Sequence, residues 1–379
     1  MHLRGPRMVG AVSAVAFVLG MGTTAAVMAA PAGSAATAGT GGGAALSSGG
    51  KVLAAARTEP ATAAARRVVI AVHGGAGSIP RGSLTPEREQ AMRDALTRAL
   101  KAGQAEINGG GSSLDAVEAA VRVLEDDENF NAGKGAVFNT DGEHELDASI
   151  MNGANLDAGA VAGVHNTKNP ISLARMVMER TRHVILSQRG ADIFALQNGV
   201  PYTTQDYFFT QRRWDSLIRA KESAQGARAQ AAAEPDVTGT VGAVAIDEDG
   251  EVAAATSTGG LTNKMVGRIG DSPIPGAGTY ADSRTVAVSA TGTGEVFIRG
   301  AAAHDISALI DYAGSPVEDA AATVVVDKLP KLGGTGGVIA LDPHGTLATP
   351  HSTDTIINGY LTRDGEVVTR LFNDETPPR

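Results

Sequence analysis

The sequence predicts an α+β layered sandwich, and three observations carry that prediction. Helical periodicity dominates the first half of the region that can fold, and period-two alternation dominates the second. The regular strand–helix–strand order of a doubly wound sheet does not occur. With 43% hydrophobic residues among 379, the chain has enough apolar side chain to bury a sizeable core.

Each element has a local reason. "RRVVIAVHGGAG" predicts a short β-branched strand from Val68 to Val72 that ends in a glycine turn. In "TPEREQAMRDALTRALKAG", Thr85 is the N-cap and Pro86 the first helical residue, where a missing N–H costs nothing. Met92, Leu96, Ala99 and Leu100 then share one face. A second helix starts at Ser112, with Ser112 and Asp115 as a capping pair and Leu114, Val117, Val121 and Leu124 as its buried stripe. Asn198 to Ile218 reads as structured, whereas residues 222–237, rich in Ala, Gln and Glu, read as a mobile tail. Three hairpins follow: "VGAVAI" and "EVAAAT" around "DEDG", "VIAL" and "TLAT" around "DPHG", and "LTRDGEVVTRL". Between the first two, the glycines of "ATGTG" are expected to turn the chain from a strand Thr285 to Ala290 into a strand Glu295 to Ile298.

The N-terminal region carries other signals. Arg4 and Arg7 precede "MVGAVSAVAFVLGMGTTAAVMAA", an apolar run with small residues at its end, so residues 1–30 read as an export signal cut near Ala30 or Ala32. Gly, Thr and Ser interrupt the run and no charged stop-transfer cluster follows, which favours secretion over stable membrane insertion. Residues 31–66, mostly Ala, Gly, Ser and Thr, cannot bury a face and read as a disordered linker.

Composition narrows the chemistry. With 41 acidic against 32 basic side chains and a net charge of −9, the chain is a poor nucleic-acid partner, and 4% aromatic residues leave few platforms for bases. A small-molecule partner fits better. Zero cysteines remove disulfides, thiolate metal sites and a Cys nucleophile together, so covalent chemistry falls to Ser, Thr, Lys or a carboxylate.

"DVTGTVGAVAIDEDGEVAAATSTGG" concentrates threonines around one Gly-Thr junction. A threonine hydroxyl needs an adjacent base to become a nucleophile. If the bond between Gly239 and Thr240 were cut, Thr240 would gain an α-amine with a pKa of about 7.7 to 8.0, able to serve as that base. The plainer alternative is that Thr240 only begins a strand.

The surrounding motifs decide between the two. "GTVGAVAIDEDGEVAAATSTGGLTNKMVGRIGDSPIPGAGTYAD", together with "AVHGGAG", "LDAVEAAVRVLEDDENFNAGKGAVFNTDGEHELDASIMNG", "SATGTGEVFIR" and "GGTGGVIALD", resembles the isoaspartyl peptidase and plant-type L-asparaginase family of N-terminal nucleophile hydrolases. The motifs recur in order and cover most of Val68 to Leu341. The resemblance implies a four-layer αββα sandwich of the N-terminal nucleophile hydrolase type. It also implies one domain split by autoproteolysis into an α-subunit, 67–239, and a β-subunit, 240–379, assembled as the homo-oligomer (αβ)2.

By the same resemblance Thr240 is the nucleophile, freed after Gly239; Thr258 supports it, and Thr291 and Gly292 stabilise the oxyanion. Arg268 and Asp271 hold the substrate head, with Gly270, Gly294, Thr291, Gly292 and Asn131 completing the binding pocket. Chemically, a guanidinium forks an α-carboxylate and a carboxylate holds an α-ammonium; without the resemblance, this spacing reads as a surface pair. No catalytic cofactor is implied, but a structural sodium ion is, on the backbone carbonyls of Leu124, Glu125, Asp127, Phe130, Ala132 and Lys134; oxygen ligands suit a hard cation. The implied activity is cleavage of β-aspartyl dipeptides and L-asparagine through a β-aspartyl-enzyme ester. Glycosylasparaginase activity is the alternative, and a non-catalytic secreted binding module with the same fold stands behind it.

"HGGAG" at His73 also resembles a lipase oxyanion loop, but no G-x-S-x-G follows, so a structural glycine turn is the reading kept, and none of the 8 histidines is assigned a catalytic part. "TPHSTDTIING" replaces the segment usual for the family, so His351 and Asp354 take no role from it.

Overall fold

A computed structural model describes residues 67–79, 82, 84–226 and 239–375. The expected export signal and linker lie outside these residues, as do positions 227–238 of the expected mobile tail.

The first strand, β1 (Val68–Gly77), does not stop at Val72. His73 to Gly77 continue the ladder against β11 (Thr355–Thr362), with His73 opposite Asn358, Gly77 opposite Thr355, and a shift of register between His73 and Gly75. The glycines therefore form a bulge within a strand, where a turn was expected; Gly75, at φ 121°, takes the conformation that the extra residue requires. The partner that stabilises this extension lies far along the chain, out of reach of local pattern.

Both N-terminal helices form as the sequence predicts. In α1 (Pro86–Asn108) the Thr85 side chain accepts from Arg88 N–H, and Met92, Leu96, Ala99 and Leu100 are buried. In α2 (Ser113–Glu125) Ser112 and Asp115 close a full capping box. Next come β2 (Leu146–Asn152), β3 (Ala158–Val164), α3 (Pro170–Arg180), β4 (Ile185–Ser187), α4 (Gln188–Gln197) and α5 (Gln211–Gly226). Residues 222–226, expected in the mobile tail, are thus the end of a helix.

The second half supplies β5 (Val241–Ile246), β6 (Val252–Thr258), β7 (Thr279–Asp282), β8 (Val286–Gly292), β9 (Gly336–Leu341), β10 (Leu347–Ala348) and β12 (Val367–Arg370). The three expected hairpins are β5–β6, β9–β10 and β11–β12, all antiparallel. The expected strand Glu295 to Ile298 is instead helical, within α6 (Gly294–Gly300), which is followed by α7 (Ala302–Ala313) and α8 (Val317–Ala322). Val296 and Phe297 have strand propensity, but the helix buries both in the core beneath β8 and β9, and tertiary packing overrides a weak preference.

Two sheets result. One has the order β12-β11-β1-β5-β6-β2-β3-β4, the other β10-β9-β8-β7. Three apolar clusters define the layers. Residues of α1, α2 and α3 pack on the outer face of the large sheet through Leu96, Leu100, Val117, Val121 and Ile150. Residues of α6 to α8 pack on the small sheet through Phe297, Ile306, Val288 and Val338. Between the sheets lie Ala71, Val244, Ala254, Ala287 and Ile339. The architecture is the αββα sandwich, with small side chains letting the sheets approach. No helix among the described residues is long and apolar enough to cross a membrane.

Candidate active site

Thr240 stands at the mouth of β5 on the side facing the small sheet. It is 7% exposed, and its Oγ1 lies 3.5 Å from Ser272 Oγ. The preceding Gly239 is held tightly: a Cβ there would sit 2.4 Å from Thr291 Oγ1 and 2.6 Å from Gly75 Cα. Only glycine passes between them. In turn, Thr291 Oγ1 accepts the Ala76 N–H at 3.2 Å. The Gly239–Thr240 peptide is therefore gripped between the far half of β1 and the end of β8, an arrangement that the strand extension past Val72 makes possible.

The β5–β6 ladder pairs Val241 with Ser257, so the next position places Thr258 across from Thr240. Thr258 Oγ1 accepts the Gly260 N–H at 3.0 Å, which leaves its proton for another acceptor. Gly292 follows Thr291 at the end of β8, opposite Gly336. Thus Thr240, Thr258 and Thr291, scattered in sequence, share one end of the two sheets.

Arg268 and Asp271 lie on the long connection between β6 and β7. A Cβ on Gly294 would be 2.9 Å from both Arg268 Nη2 and Asp271 Oδ1, so the two groups converge on one spot that only glycine keeps open. Gly270 lies under the Arg268 guanidinium, 2.8 Å from Nη1 by the same measure. Asp271 is buried and its Oδ2 has no hydrogen-bond partner; burial pushes its carboxyl up to about 7. A buried carboxylate without a partner is costly, and it is what an incoming ammonium would relieve.

Glu295 was not singled out from the sequence, although it stands inside "SATGTGE". It forks Arg268 through Nε and Nη2, both at 3.0 Å, leaving the Nη1 edge of the guanidinium for a second anion. Lys264 was missed too. Its buried ammonium donates to the Glu145 main-chain oxygen at 2.8 Å, while Glu145 Oε1 accepts the Gly267 N–H at 2.9 Å, and so the segment carrying Arg268 is pinned to the large sheet. The sequence signal for such pins is weak, since each joins residues more than a hundred positions apart.

Asn131 is buried beside the strand end that carries Thr258, and its main-chain oxygen accepts the Gly259 N–H at 3.1 Å. Its Nδ2 donates to the Gly260 carbonyl at 2.7 Å and its Oδ1 accepts the Val137 N–H at 2.9 Å, which makes it a brace for the turn after Thr258. Glu125 braces the same strand end: fully buried, it accepts from Ser257 Oγ at 2.7 Å, and burial pushes its carboxyl up to about 8. The loop between Glu125 and Gly135 is wound tightly over its own carbonyls. A Cβ on Gly133, where φ is 48°, would fall 2.2 Å from the Glu125 carbonyl oxygen.

His351 and Asp354 fasten the segment before β11. His351 Nε2 meets Asn373 Oδ1 at 2.8 Å, and Asp354 Oδ2 accepts from Ser78 Oγ at 2.6 Å.

Comparison with known proteins adds the following. A family model described as asparaginase matches residues 66–369. An isoaspartyl peptidase of Salmonella typhimurium is 50% identical over 295 residues, covering 77% of this chain and 94% of that protein. The isoaspartyl peptidase of Escherichia coli is 49% identical over 295 residues, covering 77% and 92%. An isoaspartyl peptidase/L-asparaginase of Rattus norvegicus is 45% identical over 279 residues, covering 73% and 81%.

Proposed function

The chain belongs to the asparaginase family, and from that membership we propose that it is a threonine hydrolase acting on β-aspartyl dipeptides and L-asparagine. The observation that carries the proposal is the gripped Gly239–Thr240 peptide, with Thr240 Oγ1 3.5 Å from the hydroxyl of Ser272, the residue next to Asp271, which converges with Arg268 at Gly294; the charges of Arg268 and Asp271 match a free amino-acid head.

Maturation begins with attack of Thr240 Oγ on the Gly239 carbonyl: the Gly239–Thr240 C–N bond breaks, the Oγ proton ends on the departing nitrogen, and an ester joins Gly239 to Thr240 Oγ. Hydrolysis then leaves Gly239 as a carboxyl terminus and Thr240 with a free α-amine of pKa about 7.7 to 8.0. In turnover that amine takes the Oγ proton, Oγ adds to the side-chain carbonyl of the substrate, and the proton is returned to the leaving amine. Thr291 Oγ1 and the Gly292 N–H face the developing oxyanion, and Thr258 supports the attacking hydroxyl. Ammonia or an amino acid leaves; water then cleaves the β-aspartyl ester and aspartate departs. The test compares L-asparagine, β-Asp-Leu, β-Asp-Leu with a blocked α-amine, and a glycosyl-asparagine. Rapid turnover of the first two alone is the expected result, and equal rates on free and blocked dipeptides would remove Asp271 from its role.

Arg268→Lys keeps the charge and loses the planar fork on which both Glu295 and the substrate carboxylate depend. Its kcat/KM should fall at least about tenfold, roughly 1.4 kcal/mol, while maturation proceeds, since cleavage uses the chain's own backbone.

We propose that the carbonyls of Leu124, Glu125, Asp127, Phe130, Ala132 and Lys134 hold a sodium ion; the support is that the loop turns inward over main-chain oxygens and that a Cβ on Gly133 would fall 2.2 Å from the Glu125 oxygen, which glycine leaves open. When bound, the ion supplies charge that holds these dipoles together. Replacing sodium chloride by choline chloride at equal ionic strength should lower Tm and raise KM; an unchanged Tm would argue that the loop needs no ion.

Assembly as (αβ)2 is supported by Met265, Val266 and Leu261, which are 76%, 54% and 45% exposed beside Arg268, an apolar surface suited to burial. Light scattering on the matured protein should give two α- and two β-chains, and a stable single αβ unit would refute this. Export rests on Arg4, Arg7 and the apolar run after them; N-terminal sequencing of protein recovered from culture medium should begin after Ala30 or Ala32.

A further inference from the structure

Between α2 and α3 lies a cavity of about 570 Å³, and none of its lining residues belongs to the site described above. α2 contributes Glu118 and Arg122, α3 contributes Arg175, Glu179 and Arg180, and Thr167 stands just ahead of α3. Leu173 and Met176 give the cavity an apolar side. The far wall, in the segment after α4, is fixed in place: Thr203 N–H donates to the Asn166 carbonyl at 2.9 Å, and Asn166 Nδ2 donates to the Thr203 carbonyl at 3.0 Å.

The charges in this cavity do not balance. Arg175 holds three carboxylates, with Nη1 2.7 Å from Asp115 and 2.9 Å from Glu118, and Nε 2.7 Å from Glu179. Glu118 has spent both oxygens, because its Oε1 accepts from Ser172 Oγ at 2.6 Å. Lys168, also in the wall, is paired with Asp126 at 3.0 Å. Two guanidiniums remain. Among the described residues Arg122 has no carboxylate partner, and Arg180 has only the Asn198 amide oxygen, 3.4 Å from its Nη1. In a chain whose net charge is −9, two arginines left without an acid in one cavity call for an anion from outside.

Thr167 is a second, independent sign. It is 2% exposed, and its Oγ1 is buried with no hydrogen-bond partner. A buried hydroxyl left unpaired is destabilising, and an acceptor oxygen of a ligand would relieve it.

We infer that the cavity between α2 and α3 binds a small dicarboxylate, with one carboxylate on Arg122, the other on Arg180, and one of their oxygens accepting from Thr167 Oγ1. Each guanidinium offers a planar fork that matches a carboxylate, and the apolar side accommodates the short carbon chain between the two. Glu179 uses Oε1 on Arg175 and keeps Oε2 at the exposed rim, where it takes an ammonium, so an amino dicarboxylate binds more tightly than the plain diacid. L-Aspartate, the product under the function proposed above, is of this class. That link rests on the proposed function; binding of the plain diacid does not.

Isothermal titration of succinate into the full protein, with ionic strength held constant by sodium chloride, is the test. A saturable site of millimolar or tighter Kd is expected, weakened at least about tenfold in Arg122→Ala and in Arg180→Ala. Thr167→Val, which keeps shape and removes the hydroxyl, should weaken it about threefold, and Asp271→Asn should leave it within about twofold. Acetate, with a single carboxylate, should bind at least about tenfold more weakly than succinate. In Asp271→Asn protein, whose head pocket has lost its ammonium partner, L-aspartate should bind more tightly than succinate. No saturable binding, equal binding of acetate and succinate, or succinate binding lost in Asp271→Asn and kept in both arginine variants would overturn the site. Aspartate no tighter than succinate would overturn the part given to Glu179 and the link to product. Both arginines are exposed, so their variants should fold and hydrolyse β-Asp-Leu at the natural rate. A protein that hydrolyses neither substrate would refute the proposed function and leave the succinate result standing.

Discussion

Thr240→Ala is expected to stay one uncut chain and to hydrolyse neither β-Asp-Leu nor L-asparagine. The substitution removes two functions at once, because the Oγ that would attack Gly239 is the same Oγ that would attack substrate, and without the cut no α-amine exists to act as base. Loss of a nucleophile of this kind lowers kcat by on the order of 10⁴-fold or more. The fold should survive, since Thr240 Oγ1 makes only the long 3.5 Å contact with Ser272. Intact-mass measurement after prolonged incubation is the check; a cut Thr240→Ala chain would assign the cleavage to another protease. Gly239→Ala provides a second, independent arm. Its methyl would stand 2.4 Å from Thr291 Oγ1, so maturation should slow severely although the nucleophile is intact, and normal cleavage would show that the grip seen here is not required.

Asp271→Asn is expected to move stability and function in opposite directions. The carboxyl is buried, has an oxygen without a partner, and is raised from 3.8 to about 7 by desolvation. A raised acid favours its neutral form in the folded state. Folding is therefore opposed increasingly as pH climbs from 3.8 toward 7, and the penalty, on the order of 4 kcal/mol at most, is constant above that. A neutral amide escapes it, so Asp271→Asn should melt higher than the natural protein at pH 8, with the gap closing as pH approaches 4. Without the negative charge the α-ammonium loses its partner, and kcat/KM for β-Asp-Leu should drop about a hundredfold or more. A variant that is both less stable at pH 8 and fully active would contradict the geometry at Gly294.

Legibility followed the range of the forces involved. The Thr85 cap, the Ser112–Asp115 box and the three hairpins are made by residues a few positions apart, so periodicity and turn chemistry were enough to find them. Misreadings arose where a distant partner prevailed. The stretch His73 to Gly77 is a strand because β11 is there to pair with it, and residues 295–298 are helical because Val296 and Phe297 are buried against β8 and β9. The site divides in the same way. Gly239, Thr240, Arg268 and Asp271 were singled out from motifs, by resemblance, and their roles stand as proposals. Glu295, Lys264 and the role of Asn131 as a brace were not, because each is defined by a partner elsewhere in the fold.

The sequence by itself determined the two N-terminal helices, the three hairpins and, through its motifs, the αββα class, and it nominated the residues proposed as reactive and substrate-holding groups. Only the tertiary structure decided that Gly239 is clamped between Gly75 and Thr291 and that Asp271 is buried short of a partner. The physical reason is that burial and hydrogen bonding between sheets depend on register and on the closeness of layers, and these emerge only when strands hundreds of residues apart are brought together.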